Sequence, residues 1–493
     1  MKYFVLALGL ALAGCNFVVD GDHGGGGGGG GGGDVDMSLP IDTDLGGDVD
    51  LAMGNDLAGV PIVCTAGASS CSGSTLVTCP DGTAEVMTAC PLGCSTSGGA
   101  HCNVIHPRAP VTTGDFDATG LVPVTLSSAI YIGTDNGQIG PNGTPLRQPN
   151  NDVNTYEVHQ GIGFRVAAIP GSTVKMGIYT FKSLTVSAGV VVNVYGTNAV
   201  ALVASGDVTI DGEIDVTCAG NYNLSVLGGT PHPYVAGPGG GAGGQPNVPS
   251  VGFGTGGVGG VNADNAHIAG GGGGAYGDVG GSGGAMGPAA PGGASGPTYG
   301  DAMLTTLFGG SGGGAGGQGG NVTVSVGGGG GGLVLVVSMG TVTLGSGNAA
   351  GGVNAGGCGG TTAAGVGGGA GGSGGAILVQ AVAVHVAANG VLAANGGSGA
   401  AGNAAAGAAT DGKAGAFGSA VATGGQTGGG ADGGNGGAAT PTNGTNGGGA
   451  AGSGGGAGGG VGRIRVESQS GSATVDSGGV TSPAAAEGTV DIH

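Results

Sequence analysis

The chain has 493 residues, of which 133 are Gly, none is Trp and only 8% are charged. Its 29 acids against nine Lys and Arg give a formal net charge of −20, which excludes nucleic-acid binding, because that needs Lys and Arg clustered on one face. High Gly without a Gly-X-Y register excludes collagen, and a mean hydropathy of +0.27, carried by apolar runs, argues against wholesale disorder.

Residues 1–15 read as a targeting segment, with Lys2, an apolar run from Tyr3 to Leu12, and the tetrad Leu12-Ala13-Gly14-Cys15. The run is too short to span a bilayer. The tetrad resembles the lipobox of bacterial lipoproteins. That resemblance implies that Cys15 is diacylglycerated and, after cleavage, anchors the new N-terminus in a membrane. Asn16, where some lipoproteins carry the Asp of an inner-membrane retention signal, implies an outer-membrane or cell-surface address. The rival reading is an ordinary secretory signal with an unrelated Cys.

Residues 16–60 are predicted to be a disordered tether. They hold the glycine run Gly24–Gly33 and Asp20, Asp22, Asp34, Asp36, Asp42, Asp44, Asp48, Asp50 and Asp56, with no Lys or Arg. Chain entropy and like-charge repulsion both oppose folding there. Calcium is the one cofactor these residues leave open, although the 42–50 stretch lacks the closing Glu and ligand spacing of an EF-hand.

Residues 61–105 carry Cys64, Cys71, Cys79, Cys90, Cys94 and Cys102. An even count in an exported chain predicts disulfides, in any of about fifteen pairings. Zinc is disfavoured because no Cys-x-x-Cys pair occurs and His101 and His106 lack ligand spacing. Pro80-Asp81-Gly82 between two β-prone runs predicts a hairpin. The module resembles the Cys-rich knots placed ahead of the main body in bacterial surface lipoproteins, where it serves as a ligand module or a protease-resistant spacer. Residues 106–172, polar and turn-rich with short strands and the anchors Phe116, Tyr131, Tyr156 and Phe164, are predicted to cap the first rung of a stacked β body.

That body, residues 173–470, is organised around a unit seen as Val200–Ile210, Val334–Leu344 and Ala376–Val386. Each copy is an apolar strand, a short break, and a strand with period-2 alternation. Asp211-Gly212 and Asn389-Gly390 turns come after two of them. A unit of ~22 residues without helical periodicity predicts stacked β-coils. This rhythm resembles pectin-lyase-like right-handed β-helices. The fold class expected is therefore all-β, a right-handed parallel β-helix with long Gly-rich inserts.

Those inserts, chiefly 228–320, 345–375 and 396–462, include the run Gly309–Gly320, which resembles the Gly-Gly-Ala-Gly-Gly repeats of PGRS-type bacterial surface proteins. They are either disordered loops or a packed sheaf of polyglycine-II helices, and their lack of charge favours packing. Cys218 and Cys358 flank inserts and are left to pair with each other if strands bring them within bonding distance. The strand 462–467 is expected to point Arg463, Arg465 and Glu467 into solvent, and 471–493 to form a small polar tail.

The catalytic candidates are Asp207, Asp211, Glu213 and Asp215. Glu213 and Asp215 alternate with Ile214 and Val216, so both face one side of a strand. The β-helix resemblance implies that paired carboxylates could serve as acid and base or hold calcium on a glycan; the simpler reading is a solvated rung. No metal spacing connects the His residues, and no Gly-x-Ser-x-Gly elbow occurs. Three functions remain: non-enzymatic adhesion with polysaccharide or matrix binding, a polysaccharide-degrading β-helix enzyme, or a passive envelope structural protein.

Overall fold

The structure, a computed structural model, describes residues 64–116, 119–140, 145–217, 233–245, 257–260, 262–264, 267–318, 324–403, 409–427, 431–450 and 452–493. Cys15, the Asp-rich tether and Cys218 lie outside them. The described residues belong to one compact unit, Ile62–His493. The architecture is all-β, and among the described residues the only helical element is the 3-10 turn Thr113–Asp115. No helix among them is long and apolar enough to cross a membrane.

The Cys-rich region forms the expected disulfides, Cys64–Cys79, Cys71–Cys94 and Cys90–Cys102. They staple a three-stranded antiparallel sheet of Ala68–Ser72, Thr75–Cys79 and Val86–Ala89. Within the hairpin connection, Asp81 Oδ1 accepts the Thr83 N–H at 3.0 Å, and Gly82 takes a φ of +80° that a side chain would oppose.

The body is three ladders of mostly parallel strands that the chain visits in rotation. The first ladder stacks Lys175–Phe181, Ala199–Ala204, the front of Leu333–Leu344, the front of Ala376–Val386, Arg463–Ser468 and Ala486–Thr489. The second stacks Pro123–Leu126, Ser183–Val186, Val208–Ile210, the rear halves of the same two long strands, and Thr474–Val475. The third stacks Ile130–Gly133, Val191–Tyr195, Glu213–Asp215, Gly351–Asn354, Gly390–Ala393 and Val480–Ser482. The first sheet is mixed, because Ile162–Ala168 closes its edge by pairing antiparallel with Lys175–Phe181 and with Glu157–His159. The last residues, expected as a plain tail, supply strands to all three ladders.

Two apolar cores result. Val200, Leu202, Val334, Val336, Ile377, Val379, Ile464 and Val466 point inward between the ladders. Their neighbours Ala201, Val203, Leu335, Val337 and Leu378 point outward, yet are equally buried, under Ile105, Phe116, Tyr276, Leu304 and Leu307. A strand apolar on both sides is the mark of a sheet covered on both faces. The expectation of a solvent-facing strand is corrected for two of its three charged residues: Arg465 is 3% exposed and Glu467 4%, while Arg463 is half-buried. The reason is coverage from afar. Arg108 and Gln380 both reach Glu467, at 2.6 and 2.7 Å, while Arg465 Nε donates to it at 3.0 Å. The same arriving segment is zipped to the C-terminus, where Val104 and His493 exchange backbone hydrogen bonds.

The Gly-rich segments lie side by side and bond laterally. Along 455–462, successive N–H groups donate to Gly448, Ala400, Gly271, Thr445, Gly397, Gly274, Thr442 and Ala394, three directions in strict rotation. Its carbonyls accept in the same rotation from Gly284, Gly434, Gly371, Gly281, Gly437, Gly374 and Gly277. One strand therefore has six neighbours. Added Cβ atoms explain the composition: at Gly456 a Cβ would sit 2.0 Å from the Gly369 carbonyl oxygen, and at Gly459 2.1 Å from that of Gly372. No side chain fits at these glycine positions.

Candidate functional site

Three of the four carboxylates picked from sequence tie successive layers together, and the fourth, Asp215, bonds within its own layer. Asp207 Oδ1 accepts the Thr341 N–H at 2.7 Å. Asp211 Oδ1 accepts from Ser346 Oγ at 2.7 Å and Gly347 N at 2.9 Å. Glu213 Oε1 accepts from Asn354 Nδ2 at 2.9 Å, and Asp215 Oδ1 from the Thr217 N–H at 2.8 Å. Glu213 and Asp215 do share a side of their strand, with Ile214 in the core between them. Asp207 and Asp211 instead sit at the two corners that precede it. Burial is the main cause that raises the Glu213 pKa; the Asn354 bond opposes it and the Asp215 charge adds to it.

The remaining polar clusters are also inward-looking. Arg147 is fully buried and donates to the carbonyls of Ile162, Gly137, Gln148 and Glu157 and to Asn150 Oδ1; burial lowers its pKa to about 10. Arg165 grips Asp115 with Nε at 2.8 Å and Nη2 at 2.6 Å beside a recess of about 500 Å³ that Tyr156 and Val158 also line. Glu157 is held down to about 2 by the His159 hydrogen bond and by the N–H groups of Asp152 and Asn151. Among the described residues, no group of three or more His, Cys, Asp or Glu is placed to hold a metal. Cys358 is disulfide-bonded, and its expected partner Cys218 lies outside the described residues.

One site differs. The neighbouring Gly strands 271–277 and 457–462 run in parallel, joined by Ala457 N to Gly271 O at 3.0 Å and Gly460 N to Gly274 O at 2.9 Å. Each small-residue run gives way to a large side chain, Tyr276 in one and, just after Val461 and Gly462, Arg463 in the other. The two side chains consequently meet, with the guanidinium carbon 5.4 Å from the Tyr276 ring centroid and Tyr299 stacked on Tyr276 at 4.6 Å. Arg463 lines a recess of about 180 Å³ together with Asp278, Thr442, Ala302, Ile464, Pro483 and others. Sequence reasoning missed Tyr276, Asp278 and Thr442. The readable signal was the abrupt end of two Gly runs on a large side chain, but not that the two runs are neighbours.

No family model, curated protein or solved structure matches the chain.

Proposed function

We propose that the protein is a lipid-anchored, non-enzymatic surface module that binds extracellular polysaccharide or matrix. Cys15 carries the acyl chains, the outer membrane or cell surface is its location, and residues 16–60 hold the body away from the lipid. The body is read as a right-handed parallel β-helix whose inserts form a polyglycine-II sheaf. The three-ladder rotation supports the first, and the three-residue rotation of lateral bonds, matching three residues per turn, supports the second.

The observation that carries the non-enzymatic reading is the engagement of the carboxylates. Asp207, Asp211 and Glu213 each bond to the next layer, so displacing any of them breaks a contact between layers. Acid–base catalysis needs a carboxyl poised at an open substrate position. A stiff body with few charges suits display and adhesion instead.

The test is to incubate the full chain with a panel of polysaccharides, with and without calcium, and to follow retention and new reducing ends together. Retention without new ends is the expected result. New ends would overturn the reading and make Glu213→Gln the first variant to assay. Neither retention nor new ends would leave a passive envelope role. For the anchor, a labelled fatty acid is expected on the wild-type chain and absent from Cys15→Ala.

A further inference from the structure

We propose that the outer edge of the strand Val86–Ala89, in the disulfide-stapled region, is a strand-addition site that captures an extended, basic segment of a partner protein. The site lies in another part of the molecule from the β body and is independent of the polysaccharide reading.

The hairpin's own hydrogen bonds fix which backbone groups remain. Val86–Ala89 pairs with Thr75–Cys79 in antiparallel register, Ala89 opposite Thr75 and Thr88 opposite Leu76. In such a ladder, directly opposed residues alternate between exchanging hydrogen bonds and exchanging none, and the second kind turn their N–H and C=O groups to the far side. The Cys90 N–H donates to the Ser74 carbonyl at 2.7 Å, which sets the phase. Thr88 and Val86 therefore bond inward, while Met87 and Ala89 point outward. Val86–Ala89 is the last strand of its sheet, and among the described residues no strand pairs with its outer side. The opposite edge differs, because the Cys71–Cys94 disulfide ties Ala68–Ser72 to Cys94–Ser95.

The side chains leave this edge open as well. All four residues are exposed, Met87 at 70% and Val86 at 49%. Successive side chains point to opposite faces, so each face carries one exposed apolar residue beside the edge. Edge strands are ordinarily blunted by Lys, Pro, a bulge or a covering segment. Here the strand contains neither Lys nor Pro, and its register is regular.

Charge and size select the occupant. Residues 61–105 hold Asp81 and Glu85 and no Lys or Arg. Glu85, directly before the strand, is exposed and in no ion pair among the described residues. A strand that brings Lys or Arg is complementary to this edge. A second copy would bring another acidic one. Its contact would also be small: four residues at ~3.4 Å each, on a sheet roughly 10 Å thick, give on the order of 140 Å² against about 800 Å² per partner in a stable interface. Two rigid copies are not held by that area. A flexible segment gains main-chain bonds at Met87 and Ala89 and sets alternate apolar side chains beside Met87 and Val86.

The full chain is titrated, by fluorescence anisotropy at low salt, with the labelled peptide Lys-Thr-Val-Thr-Val-Thr-Lys. Parallel titrations use the same peptide with Glu for both Lys, and with Pro at its central residue. Only the first is expected to bind, and its affinity is expected to fall as salt is raised. Met87→Pro removes an outward N–H without touching the bonds to Thr75–Cys79, and is expected to weaken binding at least about tenfold. Glu85→Lys is expected to weaken the basic peptide and admit the acidic one. If Met87→Pro does not fold, the Pro-containing peptide and Glu85→Lys decide the matter. No binding of the basic peptide, equal binding of either altered peptide, or undiminished binding by a folded Met87→Pro would overturn the site. A wild-type dimer in sedimentation that Met87→Pro converts to a monomer would give the edge to a second copy and overturn it too. Retention on polysaccharide is expected to be unchanged in both variants, so failure here leaves that reading standing.

Discussion

Gly458→Ala tests the sheaf most directly. A Cβ at this position would lie 1.8 Å from the Asn435 carbonyl oxygen and 2.4 Å from its carbon, where ordinary contact starts at 3.4 Å. The strand holding Asn435 must therefore retreat by well over an ångström. Retreat breaks its bonds to the central strand, Gly434 N to Gly456 O and Gly437 N to Gly459 O, both 2.8 Å. Overpacking costs roughly 1–3 kcal/mol and each buried polar group left unsatisfied about 1–3, while reduced freedom of the unfolded chain returns only about 0.4–1. A net loss of about 3–6 kcal/mol is expected, a large part of the roughly 5–15 kcal/mol that holds a typical domain together. The paired control is Gly259→Ala, whose Cβ would meet nothing nearer than the Ala315 oxygen at 3.6 Å. That variant should be neutral or stabilised by up to about 1 kcal/mol. Urea midpoints followed by circular dichroism, with hydrogen exchange across 454–462, measure both. Equal midpoints for Gly458→Ala and wild type would show that the strands are not packed backbone to backbone, and the explanation of the glycine content would collapse.

Glu213→Gln should be no less stable than wild type at pH 7. Burial raises the folded pKa of Glu213 above its unfolded value of 4.5, so its protonated form favours folding below that value. This contribution is lost as pH rises through the folded pKa, and Gln removes the dependence while keeping an acceptor for Asn354; a large loss of stability at neutral pH would contradict it. Glu467→Ala should cost about 3–5 kcal/mol in chemical denaturation, because it strands the Arg465 guanidinium and one arm of Arg108 beside a buried Gln380. A cost under about 1 kcal/mol, the worth of a surface pair, would mean that solvent reaches the cluster. His159→Ala should move the Glu157 titration upward from about 2, since the His159 bond is the chief cause of the depression. The stability carried by that carboxylate is present above its unfolded pKa and disappears as pH falls through the folded one. A carboxyl chemical-shift titration that stays near its wild-type midpoint would assign the depression to the Asn151 and Asp152 amides instead.

How much of the fold is legible in the sequence depends on where the information sits. The second strands of the repeat alternate with period two, which fixes their phase, and the copies stack as aligned, Ile210 on Leu344 on Val386. The first strands are apolar throughout, so periodicity sets no phase. Val200 does stack on Val334, but Val334 stacks on Ile377 and not on Ala376, and an irregularity between Ser338 and Thr341 absorbs the extra residue. Continuous apolarity was itself a statement that both sides of that sheet are covered. Arg463, Arg465 and Glu467 concealed this in the last such strand, because alternating charges look like a wet face when their partners, Arg108 and Gln380, are far away in sequence. The sheaf has the same limit in stronger form. Every Gly segment resembles every other, so composition announces close packing without naming neighbours. Only the neighbour relation of 271–277 and 457–462 brings the Arg463 guanidinium over the Tyr276 ring. A site built where backbone packing ends is set by which strands adjoin, and that is the one property a glycine run does not encode locally.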